Sequence, residues 1–254
     1  MRTGTGMAGL IISCALATSL HANGITLSTS SLPSTQGWSF VTQGALSESQ
    51  VFSVSGGLLH QDSLGGGPYA YNYQQPGVVA SVPFVLDWDA RLVNEENSYY
   101  YFFNGNADGF AVEADTGSLA FAIGLGLNGL SLLDQDPQPT PTQMRISAAT
   151  LAAGGVSLTD FHDYRLVADP TTDTWNFYID GTFWAAGHAL IDGAPNNLYF
   201  GDNTGGPNAQ GDIAAFSYEP LSDSSVPEPA SLLLLASGLA ATRRFLRRLR
   251  PPQG

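Results

Sequence analysis

The chain of 254 residues has no lysine, and only Arg91, Arg145 and Arg165 of its nine arginines lie between Asn23 and Ser225. Against them this stretch sets 21 of the 22 acidic residues, which leaves it at −18. Such a surface repels phosphate backbones and anionic headgroups and excludes nucleic acid as a partner. Cysteine is almost as scarce. Cys14 is the only one and falls in the N-terminal apolar segment, so the region beyond Asn23 can form no disulfide and must be held by its core. A long transmembrane run is missing too: the C-terminal apolar stretch, Ala230 to Thr242, is 13 residues, about 20 Å as a helix against about 30 Å of hydrocarbon. Finally, no serine or cysteine nucleophile motif accompanies His21, His60, His162 or His188, so the motifs themselves assign no catalytic residue.

The two ends carry signals. Met1 to Gly6 has one arginine, Met7 to Leu20 is mostly apolar, and small residues follow, the layout of a secretory signal peptide over residues 1–22 with cleavage after Ala17 or Ala22. At the other end, Val226-Pro227-Glu228-Pro229 precedes the apolar run, and Arg243, Arg244, Arg247, Arg248 and Arg250 follow it. Arginine stems can lie along lipid and draw Phe245, Leu246 and Leu249 into the span, which makes a short transmembrane helix with an arginine-rich cytoplasmic tail over 230–254 the expectation. A terminal amphipathic helix lying on the protein or on the membrane surface is the alternative. The basic end would stay cytoplasmic and place everything before Val226 across the membrane.

Triplet, apolar stretch and arginine cluster, in that order, resemble the PEP-CTERM sorting signal of Gram-negative bacteria. The resemblance implies an exosortase-type processing enzyme in the inner membrane, a transient anchor, and delivery to the cell surface or an extracellular matrix. It implies a route rather than an activity.

Between the signals the hydrophobic period is two. In "FVLDWDARLV", Phe84, Leu86, Trp88, Ala90 and Leu92 point one way while Asp87, Asp89 and Arg91 point the other. Strands are predicted at Trp38–Thr42, Gln50–Val54, Gly57–Asp62, Tyr69–Gln74, Tyr99–Phe103, Phe110–Ala114, Ser118–Ile123, His162–Ala168, Thr174–Ile179, Thr182–Ala186, Asn197–Phe200 and Asp212–Tyr218. Asn104-Gly105, Asp108-Gly109, Thr116-Gly117 and Asp180-Gly181 sit at hairpin distance. Ala148–Ala153 reads as one helical turn and Asp134–Thr142 as a proline-rich loop. The fold class expected is all-β: an antiparallel jelly-roll sandwich over residues 23–221, joined by a linker at 222–229 to the tail.

Phe161 to Gly181 and Asn197 to Pro220 resemble the closing strands of concanavalin A-like sandwiches, the group that holds laminin G-like modules, legume-type lectins and certain bacterial β-glucanases. The glucanases of that group use a Glu-x-Asp-x-Glu strand. The nearest stretch here, Glu113-Ala114-Asp115-Thr116, continues with Gly117 in place of the second glutamate. Aromatic rings with polar tips stack on sugars, and Tyr69, Tyr71, Tyr73 and Trp184 are the candidate carbohydrate contacts, against the competing reading that such rows face the core. Clustered carboxylates can share a hard cation, so Asp134, Asp136, Asp202, Asn203 and Asp212 are the candidate Ca2+ ligands. Three function classes follow: a non-enzymatic binder of glycan such as exopolysaccharide, a structural matrix component, and a glycoside hydrolase with an unrecognised site.

Overall fold

The computed structural model describes residues 24–96, 109–135, 142–191, 193–203 and 208–221. In chain order their strands are β1 (Ile25–Leu27), β2 (Ser39–Thr42), β3 (Phe52–Ser55), β4 (Leu58–Asp62), β5 (Tyr71–Pro76), β6 (Phe84–Glu96), β7 (Phe110–Asp115) and β8 (Leu119–Gly126). They continue with β9 (Gly129–Asp134), β10 (Thr142–Ser147), β11 (His162–Asp169), β12 (Thr174–Ile179), β13 (Thr182–His188), β14 (Leu190–Ile191), β15 (Asn197–Asp202) and β16 (Asn208–Pro220). Two short helices, α1 (Glu48–Val51) and α2 (Ala148–Ala153), interrupt the series.

The strands form two antiparallel sheets. The first runs β13-β12-β11-β6-β16-β4-β3, with β1 on β16, and the second runs β10-β9-β8-β7-β15-β5-β2, with β14 on β8. Neighbours such as β6 and β16 are far apart in sequence, the mark of a sandwich closed by crossovers between its sheets. The period of two explains the layers. Along β6 the residues from Phe84 to Leu92 alternate buried and half-buried, and the buried set meets the inward rings of β11, β12 and β16. Trp88 stacks on Tyr164 at 5.5 Å, and Tyr164 on Phe177 at 6.3 Å. On the other side Trp38, Tyr73, Phe200 and Phe216 form a second aromatic knot. Where the chain must turn sharply, Asp180 and Gly181 take positive φ of 50° and 73°, the backbone of a two-residue hairpin of the mirror-image type.

Two expectations need correction, and β9 is a strand beyond those expected. Gln50–Val54 is not a continuous strand, because Ser47 and Gln50 form a capping box, with the Ser47 amide donating to Gln50 Oε1 at 2.9 Å, and α1 occupies the first half. Residues 129–134 are a strand although "GLSLLD" has no alternation, since Leu130 and Leu132 enter the main core while Leu133 packs in a second small cluster on the other face. The loop expected over Asp134–Thr142 is shorter at both ends, as Asp134 and Thr142 face each other in the ladder between β9 and β10. The α2 turn is where it was expected, capped by Ser147 Oγ accepting from the Thr150 amide at 3.1 Å. Tyr99–Phe103, Asn104-Gly105 and both terminal signals lie outside the described residues. Among the described residues no helix is long and apolar enough to cross a membrane.

Candidate functional site

On β7 the alternation sends Phe110, Val112 and Ala114 into the core and leaves Glu113 and Asp115 on the opposite face of the second sheet. Both carboxylates are nevertheless buried, 4% and 2% exposed. A buried carboxylate needs donors. One comes from a run of side-chain amides that crosses three strands and their edge. Asn197 Nδ2 donates to Gln74 Oε1 at 3.0 Å, and Gln74 Nε2 donates to Asn72 Oδ1 at 3.0 Å. Asn72 Nδ2 then donates to Asn203 Oδ1 at 2.9 Å, and Asn203 Nδ2 to Glu113 Oε2 at 2.7 Å. Every amide points the same way and the series ends on an anion, an order in which each bond polarises the next. The register makes this possible: Tyr199 pairs with both Gln74 and Glu113, so β15 is the shared rail between β5 and β7. Fixed planar amides and a carboxylate offer donors and acceptors at defined angles, the chemistry that reads hydroxyl groups.

The predicted aromatic contacts are divided. Tyr71 and Tyr73 are 0% exposed and belong to the core; their hydroxyls donate to Gly66 O at 2.7 Å and to Glu48 Oε1 at 2.6 Å. That removes both as sugar contacts, because strand alternation turns their rings into the core, Tyr73 between Phe52 and Phe200. Burial and the Glu48 carboxylate both push the Tyr73 phenol far above its ordinary range. Trp184 packs against the core and against Gly154 at the end of α2, where a Cβ would come within 2.4 Å of its ring. Tyr69, just before β5, is 43% exposed.

The candidate calcium ligands are not brought together. Asp134 accepts from the His188 amide at 2.8 Å, Asn203 belongs to the amide series, and Asp202 ends β15 with 0% exposure. Asp212 lies on the other sheet between His60 and Arg91, and Asp136 is outside the described residues. Among the described residues no three His, Cys, Asp or Glu side chains converge as a metal cage.

The outer face of the first sheet carries a second polar group that the alternation had marked only as a wet surface. Asp87 is paired with Arg165, at 2.6 and 2.9 Å. Asp89 stands directly opposite Asp163, and a cleft of about 490 Å³ opens beside them. Burial, then Asp163 and Asp180, raise the Asp89 carboxyl, while His162 opposes them. A carboxyl raised in the folded state contributes its full destabilisation above that raised value, and the penalty disappears as pH falls below the unfolded value. Asp89→Asn is therefore expected to raise the unfolding midpoint at pH 7, with the gain shrinking toward pH 3; equal gains at both pH values would assign the effect to packing. Glu95 and Glu96 each hold a loop: Glu95 Oε2 accepts from Leu127 N at 2.7 Å and Glu96 Oε2 from Gly65 N at 2.9 Å.

Residues 225–250 match the family described as the PEP-CTERM protein-sorting motif. The chain carries a PEP-CTERM sorting motif. The PEP-CTERM motif marks it as an exported protein and gives it an exosortase-type processing partner. No curated protein matches the chain. Among solved structures, a carbohydrate esterase of Shiga toxin-encoding bacteriophage phi24B is similar at TM-score 0.50 and 13% identity, over 78% of this chain and 98% of that one. A Bacillus licheniformis β-glucanase is similar at TM-score 0.48 and 10% identity, over 77% and 97%. The binding domain of botulinum neurotoxin DC is similar at TM-score 0.46 and 12% identity, over 78% of this chain. The chain spans 46% of that binding domain's length, and the same share of a second receptor-binding domain. At these identities the likeness concerns the fold, a two-sheet β-sandwich.

Proposed function

We propose that this exported protein is a cell-surface or extracellular-matrix component whose sandwich binds glycan, exopolysaccharide in particular, on the outward face of its second sheet, without cleaving it. The amide series from Asn197 to Glu113 carries the reading. Five polar side chains already locked in one arrangement lose little entropy when a sugar replaces or joins their hydrogen bonds. Asn72, Asn197 and Glu113 are buried, so a sugar would meet the series at its half-buried members, Gln74 and Asn203.

A glycan array on the purified protein, followed by titration of the best hit, tests this. Asn72→Ala should weaken binding about tenfold or more, equivalent to about 1.4 kcal/mol. Unchanged affinity in that variant would move the site elsewhere, and an array without hits would leave a structural matrix component.

A hydrolase is the second reading, favoured by the placement of Glu113 and Asp115 on one face of β7. Gly117, where the glucanase pattern has its second glutamate, sits in the turn after β7 with φ of 92°. The expected result is no release of reducing ends from β-glucan; release abolished by Glu113→Gln would reverse it.

A further inference from the structure

On the first sheet, well away in the topology from the amide series, the tip between β3 and β4 brings a serine, a histidine and an aspartate into line. Asp212 on β16 is the register partner of both His60 on β4 and Arg91 on β6. Its Oδ1 lies 2.6 Å from His60 Nδ1, and its Oδ2 accepts from Arg91 Nε at 2.8 Å and pairs with the same guanidinium at 2.7 Å. A carboxylate only accepts, so the imidazole proton resides on Nδ1. The other nitrogen, Nε2, is 2.8 Å from Ser55 Oγ and 3.2 Å from Ser55 O. In the neutral ring with its proton on Nδ1, Nε2 accepts from the Ser55 hydroxyl, the nearer of the two oxygens, and the contact to the Ser55 carbonyl becomes a hydrogen bond only in the imidazolium.

We infer that Ser55, His60 and Asp212 form a nucleophilic triad that hydrolyses short-chain acyl esters, independently of the glycan surface. The roles follow from geometry rather than chain order. Asp212, 7% exposed at its side chain and held by Arg91, fixes the tautomer and steadies the imidazolium. His60 takes the Ser55 proton as Oγ bonds to the ester carbonyl carbon. The tetrahedral centre then expels the alcohol, which leaves with that proton, and water repeats the sequence to release the acid and restore Ser55. Gly56 and Gly57, at φ of 59° and 79°, follow the serine directly. Their amides are the backbone N–H groups next in sequence to the serine and are the donors assigned to a developing oxyanion. Ser55 is exposed on β3, the end strand of its sheet, which suits a small acyl group on a bulky alcohol.

His162 supplies the contrast. Its Nδ1 meets Asp180 at 2.6 Å, but its Nε2 accepts from the Ser157 amide at 3.2 Å, so no lone pair is left for a nucleophile.

The test is reaction of the full chain, purified in detergent, with a fluorophosphonate probe, with the adduct located by peptide mass spectrometry, alongside p-nitrophenyl acetate hydrolysis. The expected adduct is on Ser55. His60→Gln, a replacement at a half-exposed site, should slow both labelling and hydrolysis by about 100-fold or more, the scale of general-base assistance, with an unchanged unfolding midpoint. Ser53→Ala, directly opposite His60 in the register, should react as the parent protein does. Labelling no faster at Ser55 than at other serines, or persisting in His60→Gln, overturns the proposal.

Discussion

Phe200→Ala should lower the unfolding free energy by about 3–5 kcal/mol, the range for removing a fully buried aromatic side chain from a core. The ring is 0% exposed and lies 4.9 Å from Trp38, 5.3 Å from Tyr73 and 5.1 Å from Phe216, centroid to centroid. It is thus the common neighbour of rings from both sheets: Tyr73 belongs to β5 in the second, Phe216 to β16 in the first. Truncation therefore removes contacts across the sandwich and within a sheet together, with no disulfide to hold the layers. Urea titration followed by tryptophan fluorescence reads the change directly. A loss under about 1 kcal/mol would mean that the surrounding rings collapse into the space, as the more forgiving cores do.

Replacement of Pro227-Glu228-Pro229 by three alanines is expected to change the fate of the protein completely rather than by degree. If the tail is removed during export, surface-exposed parent protein lacks the arginine cluster from Arg243 to Arg250, and the triple variant accumulates uncut in the membrane fraction. The fold should be untouched, because the described sandwich ends at Leu221, before the motif begins. Mass spectrometry of shaved surface peptides separates the outcomes. Intact Arg250 on most of the surface protein would identify the tail as a standing anchor.

The layers of this fold were legible wherever one face of a strand is wet. Asp87, Asp89 and Arg91 announced β6 because water lies on their side of the sheet, and the Asp180-Gly181 turn announced its hairpin because few residues accept positive φ. Where both faces are covered the signal fades: Leu130, Leu132 and Leu133 read alike although they pack in different clusters. Whether Tyr71 and Tyr73 meet sugar or core is not legible in the sequence, because a tyrosine in a strand looks the same on either face; burial decides it. Two groupings escaped for another reason. Asn72, Gln74, Asn197, Asn203 and Glu113 are unremarkable one by one, and only the pairing of β15 with both β5 and β7 joins them. Likewise Ser55 and His60 are separated from Asp212 by about 150 residues, and no serine motif marks them. A Ser-Gly-Gly turn with a histidine three residues beyond it was the available local hint.

The scarcity of basic residues also has a consequence for durability. A trypsin-like protease finds only Arg91, Arg145 and Arg165 between Gly24 and Leu221, and all three are in strands. Arg91 and Arg165 are clasped by Asp212 and Asp87 on strands paired along both edges. Cleavage requires a stretch of chain to leave the sheet and extend in a foreign active site, so attack at these two positions must wait for opening of the sandwich itself. Arg145 lies on β10, among the described residues an end strand paired only with β9, so in a compartment shared with secreted proteases the lifetime of the folded protein is set by how rarely that one edge peels from its sheet.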